Sequence, residues 1–242
     1  TQTTHQVSRD GATSDKTTLG PAANLNVAGD ASIKTGGDFQ QNAGNLNVGG
    51  NLNANIGGNW NLGVQQTGEH KVVQRANGVS DTDLNSATGS TVNVGGKSAI
   101  GVGGDLTAQG AQLDFGQGGT IAAKGNVTFG AASVTSTINA NSSGDQGNRS
   151  YAETRHGSDQ ALTGTTVKGG DTLNVVSNKD INVIGSTIDL KKGDANLLAA
   201  GDVNVGAATE THVYNSRETH SRSGVVSGTK IASSQDATST IA

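Results

Sequence analysis

Between Leu25 and Leu62 the chain repeats itself: Asp30 recurs as Asn51 and Asp38 as Asn59, a shift of 21 residues each time, and all four follow a glycine. Between these punctuators the apolar residues stand two apart, as in Leu25 and Val27, Leu46 and Val48, Trp60 and Leu62. Alternation of this kind sends Leu25 and Val27 to one face of a short strand and Asn26 to the other. The glycines are expected to allow sharp corners, often at positive φ. A period of this size, filled by three short strands with no room for a helix, is the pattern of a β-solenoid coil.

Composition agrees with a narrow interior. Aromatic residues make up only 2% of the chain and hydrophobic residues 32%, too few for an ordinary globular core, while 37 glycines accompany a single proline. Such a chain could pass for a linker, but its apolar residues are placed too regularly for disorder. In a solenoid each coil needs only one or two aliphatic residues per strand, because it buries them against the coils above and below. The net charge of −4, without a basic run, argues against nucleic acid as a partner and against electrostatic attachment to anionic lipid. Cysteine is absent, which excludes disulfides and thiolate metal sites and suits a chain that stays unfolded while crossing an oxidising compartment. The opening TQTTHQVSRDG carries no basic n-region and no apolar h-region, the expectation for an internal piece of a longer protein. No apolar run approaches the roughly 20 residues of a transmembrane helix.

The same grammar recurs along the chain. Coil blocks are expected at 20–63, 90–130 and 165–206, separated by polar excursions at 1–19, 64–89, 131–164 and 207–242, the whole forming one repeat array over 1–242. GDLTAQGAQLDF from Gly104 aligns with KDINVIGSTIDL from Lys179, and after one inserted residue GNVTFGAAS aligns with GDVNVGAAT. The resulting fold class is all-β: a right-handed parallel β-helix of about six coils of ~21 residues, interrupted by β-hairpin-like excursions. At ~4.8 Å per coil the rod is on the order of 30 Å long.

Residue types divide between the two parts. All five histidines, all six arginines, all four glutamates and both tyrosines fall in the excursions. The blocks keep Phe39, Trp60, Phe115 and Phe129. A bland shaft displaying chemically richer arms makes His70, Arg75, Tyr151, Arg155, His156, His212, Tyr214, Arg217, His220 and Arg222 the candidate partner contacts. The plain structural reading stands beside it: long arms lie in solvent and carry charge for solubility. Arm sequences such as THVYNSRETHSRSG alternate loosely, so hairpins leaving the coil and pairing with their neighbours are expected.

Three kinds of chemistry bear on these residues. The Gly-Asp and Gly-Asn corners (Asp30, Asp38, Asp105, Asp171, Asp180, Asp202) resemble calcium-binding nonapeptide coils, but nothing repeats at nine residues, and corner side chains satisfying their own backbone are the simpler explanation. Glu210-Thr-His212 and Glu218-Thr-His220 would converge on Zn²⁺ only if they lay on facing strands. β-Helices also host polysaccharide lyases and hydrolases, which need clustered carboxylates on one coil face. Here Asp114 and Asp189 are isolated acids at equivalent places, and Asn26 and Asn47 suit stacked ladders better than a substrate platform. No catalytic, metal or cofactor site is therefore expected.

The units LNVAGD, GNLNVGGNLNA, KDINVIGSTIDL and LLAAGDVNVGAATETHVYNSRETHSRSG resemble the haemagglutinin repeats of filamentous-haemagglutinin-like exoproteins, in particular the second repeat region of CdiA-type contact-dependent growth inhibition effectors. The resemblance covers the whole chain and is strongest in the third block and its arm. It implies a secreted, cell-surface protein exported through the outer membrane by a dedicated β-barrel transporter and folding outside into a β-helical filament. It also implies that this region takes part in moving a toxin across the target cell's outer membrane. The partners implied are the rest of the long exoprotein, the transporter, and the target-cell outer membrane or its proteins. Neither the transport domain nor a toxin is within these residues. Two non-catalytic functions follow, a delivery segment and a passive adhesin shaft or spacer, with a polysaccharide-active enzyme the weakest alternative. Lipid insertion would need an apolar outward band, and the arms are polar.

Overall fold

The computed structural model describes residues 1–147, 149–222 and 231–241. A first hairpin, β1 (Gln2–Val7) and β2 (Ala12–Thr18), precedes short strands β3 (Asn24–Val27), β4 (Ala31–Thr35), β5 (Phe39–Asn42), β6 (Asn45–Val48) and β7 (Leu52–Ile56). Strand β8 (Trp60–Arg75) begins as another short strand, runs on unbroken into a hairpin and returns as β9 (Gly78–Gly89). The second block holds β10 (Thr91–Val94), β11 (Ser98–Val102), β12 (Leu106–Gln109), β13 (Gln112–Phe115), β14 (Gly119–Ala123) and β15 (Val127–Gly130), and the hairpin β16 (Ala132–Gln146) and β17 (Arg149–Thr163) follows. The third block holds β18 (Thr166–Gly169), β19 (Leu173–Ser177), β20 (Ile181–Ile184), β21 (Thr187–Leu190), β22 (Ala195–Ala199) and β23 (Val203–Gly206), and the chain ends in β24 (Ala208–Arg222) and β25 (Ile231–Ile241).

The short strands assemble into parallel ladders that the chain visits in fixed rotation. One runs β3-β6-β10-β13-β18-β21, a second β4-β7-β11-β14-β19-β22, and the third links β5 and β12 through the start of β8 and continues to β15, β20 and β23. Register stacks like on like: Leu25, Leu46, Val92, Leu113, Val167 and Ile188 form one column. Phe39, Trp60, Leu106, Val127, Ile181 and Val203 form another. The fold is all-β with parallel sheets, consistent with a β-solenoid.

These columns make the core. Trp60, Phe115, Phe129, Leu52 and Ile121 are among the fully buried side chains, each worth roughly 1.5–3 kcal/mol relative to exposure. Phe39 and Trp60 meet in a tilted pair with centroids 5.6 Å apart. At the outermost strands the columns are covered on one side only, so Leu25 and Val205 are exposed although their register partners are buried.

The expected positive φ is found at the corners of Gly110, Gly118, Gly185 and Gly193, but the Gly-Asx corners work differently. Gly50, Gly58, Gly104 and Gly125 lie outside the left-handed region. What they need is space: a Cβ on Gly58 would sit 2.2 Å from Asp38 Oδ1, and one on Gly104 2.2 Å from Asn59 Oδ1. Those oxygens are occupied. The N–H of Asn59 donates to Asp38 (2.7 Å), that of Asp105 to Asn59 (2.8 Å), that of Asn126 to Asp105 (2.7 Å), that of Asp180 to Asn126 (3.2 Å) and that of Asp202 to Asp180 (2.8 Å). The corner side chains therefore satisfy the backbone of the next layer, where the sequence suggested their own, and each Gly-Asx pair contributes both the acceptor and the gap that receives one. Asp171, bonded to the adjacent Thr172 N–H (2.7 Å), follows the local pattern instead. On the outer face Asn26, Asn47 and Asn93 form an amide ladder, Asn47 Nδ2–H₂ donating to Asn26 Oδ1 at 2.7 Å and Asn93 Nδ2–H₂ to Asn47 Oδ1 at 2.8 Å.

The one inserted residue also has a place. Asp105 and Asn126 are 21 apart in the ladder, but Asp180 and Asp202 are 22 apart. The extra residue falls in the corner 191–194, where Gly193 turns at φ +76°.

Candidate interaction surface

The excursions are hairpins, and they do not stand apart. Their strands pair antiparallel in the order β1-β2-β8-β9-β16-β17-β24-β25, so four hairpins separated by whole coil blocks join into one sheet continuous with the third parallel ladder. The β8–β9 hairpin closes through the two-residue loop Ala76–Asn77. A Cβ on Gly78 would lie 2.1 Å from Asn141 O, so the neighbouring hairpin approaches as closely as glycine permits.

Register sorts the candidate residues between the two faces of this sheet, because directly opposed residues share a face and sequence neighbours do not. Arg75, Tyr151, Arg155, His212, Tyr214 and His220 lie on one face. His70, His156 and Arg217 lie on the other. Arg222 pairs through its backbone with Arg149, and its side chain lies outside the described part of the structure.

The first face carries two adjoining depressions. One, of about 390 Å³, is bordered by Arg75, Tyr151, Glu153 and Arg155; the other, of about 530 Å³, by Leu84, Asp159, His212 and Tyr214; Ile138 borders both. Gly157 forms the floor of the second, since a Cβ there would come within 2.8 Å of Ile138 Cγ2. Leu84 is 62% exposed and Tyr214 44%. Glu153 accepts a hydrogen bond from Arg155 Nε, which raises the guanidinium pKa further and keeps it charged. Asp159 holds His212 Nδ1, and Glu210 lies 3.5 Å from its Nε2. The hydrogen bond to Asp159 is the main reason the His212 pKa is raised above 6.5.

The second face holds rows of histidine and acid or amide. His5 faces Asp15, Asp15 faces His70, and His70 faces Asp83, one rung across four strands. His70 Nδ1 is 2.8 Å from Asp83 Oδ1 and 3.5 Å from Asp81 Oδ1, and the hydrogen bond to Asp83 raises its pKa. Further along, His156 Nδ1 meets Asn139 Oδ1 at 2.5 Å.

Several sequence expectations change here. The Glu210-His212 and Glu218-His220 pairs sit on one strand, β24, eight residues apart, about 26 Å at 3.3 Å per residue, so they do not converge on an ion. His220 is bonded within its own pair, 2.7 Å from Glu218. Leu84, Ile138, Asp81, Asp83 and Asp159 are not among the sequence candidates; the alternation of the β8–β9 hairpin alone puts Asp81 and Asp83 on the face of His70, whereas Ile138 and Asp159 reach Tyr214 and His212 only through pairing between hairpins. Asp114 and Asp189 lie in register on either side of Lys168.

A repeated parallel shaft with hairpins of this kind defines a class, and comparison gives it a family: the Hemagglutinin repeat profile matches residues 72–152 and 145–241, and the chain belongs to that family. Over all of its 242 residues it is 97% identical to the tRNA nuclease CdiA-2 of Burkholderia pseudomallei strain 1026b, of which it spans 8%, and 98% identical to a tRNA nuclease CdiA of Burkholderia pseudomallei, of which it spans 19%. The Toxin CdiA of Yersinia pestis is 31% identical over 153 residues, 62% of this chain and 4% of that protein. The chain thus spans less than a fifth of the curated relatives named here. No solved structure matches it.

Proposed function

We propose that this chain is the shaft-and-arm segment of a contact-dependent growth inhibition exoprotein, a right-handed β-helix of six coils whose hairpin sheet engages the target cell during toxin delivery across its outer membrane. The observation that carries the reading is the fusion of four hairpins into one surface that gathers exposed Leu84, Ile138, Tyr151 and Tyr214 beside Arg75 and Arg155 on a single face. Such a mixture of aromatic, aliphatic and arginine side chains is the composition of protein-binding patches. It is not a lipid-facing band, because Lys16, Glu69, Lys71 and Glu153 share that face by register. The partner is accordingly an outer-membrane protein, and the exoprotein reaches it after export through its own outer-membrane transporter.

The alternative, a passive adhesin shaft or spacer, is favoured by the polarity of both hairpin faces. Flotation separates the two. The purified chain is mixed with outer-membrane vesicles or with protein-free liposomes, and trypsin cleavage at Arg75 and Arg155 is followed. Flotation and protection with outer-membrane vesicles alone supports delivery through a membrane protein. Cleavage at both sites with no flotation on either supports the spacer.

A further inference from the structure

Where β1, β2, β8 and β9 form the second face of the hairpin sheet, it concentrates carboxylates without Lys or Arg. Asp15, Asp81 and Asp83 lie on it together with His5 and His70. Alternation turns Lys16, Lys71 and Arg75 to the opposite face, so among the described residues of β1, β2, β8 and β9 this face bears no Lys or Arg. The next histidine along the sheet, His156, has the neutral Asn139 and Asn215 opposite it, so its rung carries no acid.

The donor atoms are already gathered. One ligand atom from each of His70, Asp81 and Asp83 lies within 4.8 Å of the other two, and the three side chains are partly buried. Ligands bound to one divalent ion at about 2.0–2.2 Å stand roughly 3–4 Å apart, so closing the set asks only for small side-chain movements. An imidazole with two carboxylates is the donor set of zinc or manganese, since calcium and magnesium prefer all-oxygen shells. Asp15 faces His70 from the neighbouring hairpin and is itself held by His5 Nδ1. That places a fourth carboxylate or carboxylate-bound water within reach, with a histidine orienting it from behind.

We infer that His70, Asp81 and Asp83 bind a divalent transition-metal ion, Zn²⁺ by donor preference, with Asp15 and its partner His5 completing the site and clamping the β1–β2 hairpin onto β8–β9. The ion takes the place of the proton shared between His70 and Asp83, so binding releases that proton to solvent.

The test uses the 242-residue chain without a polyhistidine tag, stripped with chelator, dialysed and titrated calorimetrically with ZnCl₂, MnCl₂ and CaCl₂ in separate runs. One zinc per chain is expected, with calcium far weaker. His70→Gln and Asp83→Asn should each weaken binding by at least about tenfold. Asp81→Asn, whose contact to His70 is the longer one, gives the same test with less disturbance of the rung. His212→Gln, which removes the histidine–carboxylate cluster of the opposite face, should leave the isotherm unchanged. A second readout is trypsin cleavage at Lys16 on β2, which zinc should slow in the wild-type chain and not in the His70 variant. Absence of saturable zinc binding in the wild-type chain overturns the inference, as does binding that survives both His70→Gln and Asp81→Asn or that depends on His212.

Discussion

The parallel ladders and the hairpin sheet are made from the same kind of strand and the same alternation, yet they use it oppositely. In the ladders one face is buried, and register repeats each residue type above itself: aliphatics inward, asparagines outward, Gly-Asx at corners. In the hairpin sheet both faces meet solvent, and register brings unlike residues opposite one another, His212 with Asp159 and His70 with Asp83. Stacking gives the shaft its stability. Freedom from stacking lets the arms differ from one another in sequence.

Two substitutions in the shaft should therefore have the largest effects. Trp60 begins β8 and is buried at the join between ladder and hairpin. Trp60→Ala should cost about 3–5 kcal/mol, read as a fall in the urea midpoint. A loss below about 1 kcal/mol would mean that the column through Phe39 and Leu106 is not a close-packed core. Gly104→Ala is next, at about 1–3 kcal/mol, because its Cβ collides with Asn59 Oδ1 and endangers the bond to the Asp105 N–H. Removing the obstacle checks the mechanism: in an Asn59→Ala background the further cost of Gly104→Ala should drop to under about 1 kcal/mol, a coupling that a purely conformational role for the glycine does not give.

How much of this could be read from the sequence follows the same division. The shaft was legible because stacking imposes a period. Once Asp30 and Asn51 are seen to correspond, the columns, the asparagine ladder and the inserted residue near Gly193 follow from counting. The role of the corner glycines was not legible, since a gap for the next layer's oxygen and a positive φ both select glycine and only coordinates separate them. In the arms the alternation was visible, but the face each residue takes depends on which strand neighbours it, and those neighbours lie a whole coil block away in sequence. That is why nothing in the sequence separates His70 from His212, which the structure puts on opposite faces, or pairs His212 with Asp159 of another hairpin. Asp83, opposite His70 within one hairpin, is by contrast within reach of the alternation alone.

A matched pair of aromatics sharpens the contrast at smaller scale. Phe129 is fully buried in the third ladder, whereas Tyr214 stands on the open face of the hairpin sheet. Phe129→Ala should cost about 3–5 kcal/mol, and Tyr214→Ala no more than about 0.5 kcal/mol in the same urea titration. If Tyr214 serves as a contact residue, its loss should instead appear as reduced flotation with outer-membrane vesicles at unchanged stability. A large destabilisation by Tyr214→Ala would make it part of a second core and remove it from the recognition surface.

The smallest expected effect is the dependence of hairpin pairing on pH through His212. Its neighbours are Asp159 opposite on β17 and Glu210 on its own strand, with Ser136 beyond Asp159 on β16 and Ala237 opposite on β25. Because the folded state raises the His212 pKa above 6.5, the folded arm binds the proton more tightly than the unfolded chain does. The stabilisation is then fully present below pH ~6.5 and is lost as pH rises through the raised folded value. The sign is opposite to that of a carboxylate with a depressed pKa. Amide exchange of β17 and β24, compared at pH 6 and pH 8 after correction for intrinsic rates, should show greater protection at pH 6, and His212→Gln should abolish that difference while leaving β12 and β15 of the shaft untouched. Added salt should shrink it too, since the pair is partly exposed. Greater protection at pH 8 would reverse the sign and show that His212 is held in its neutral form by the hairpin sheet.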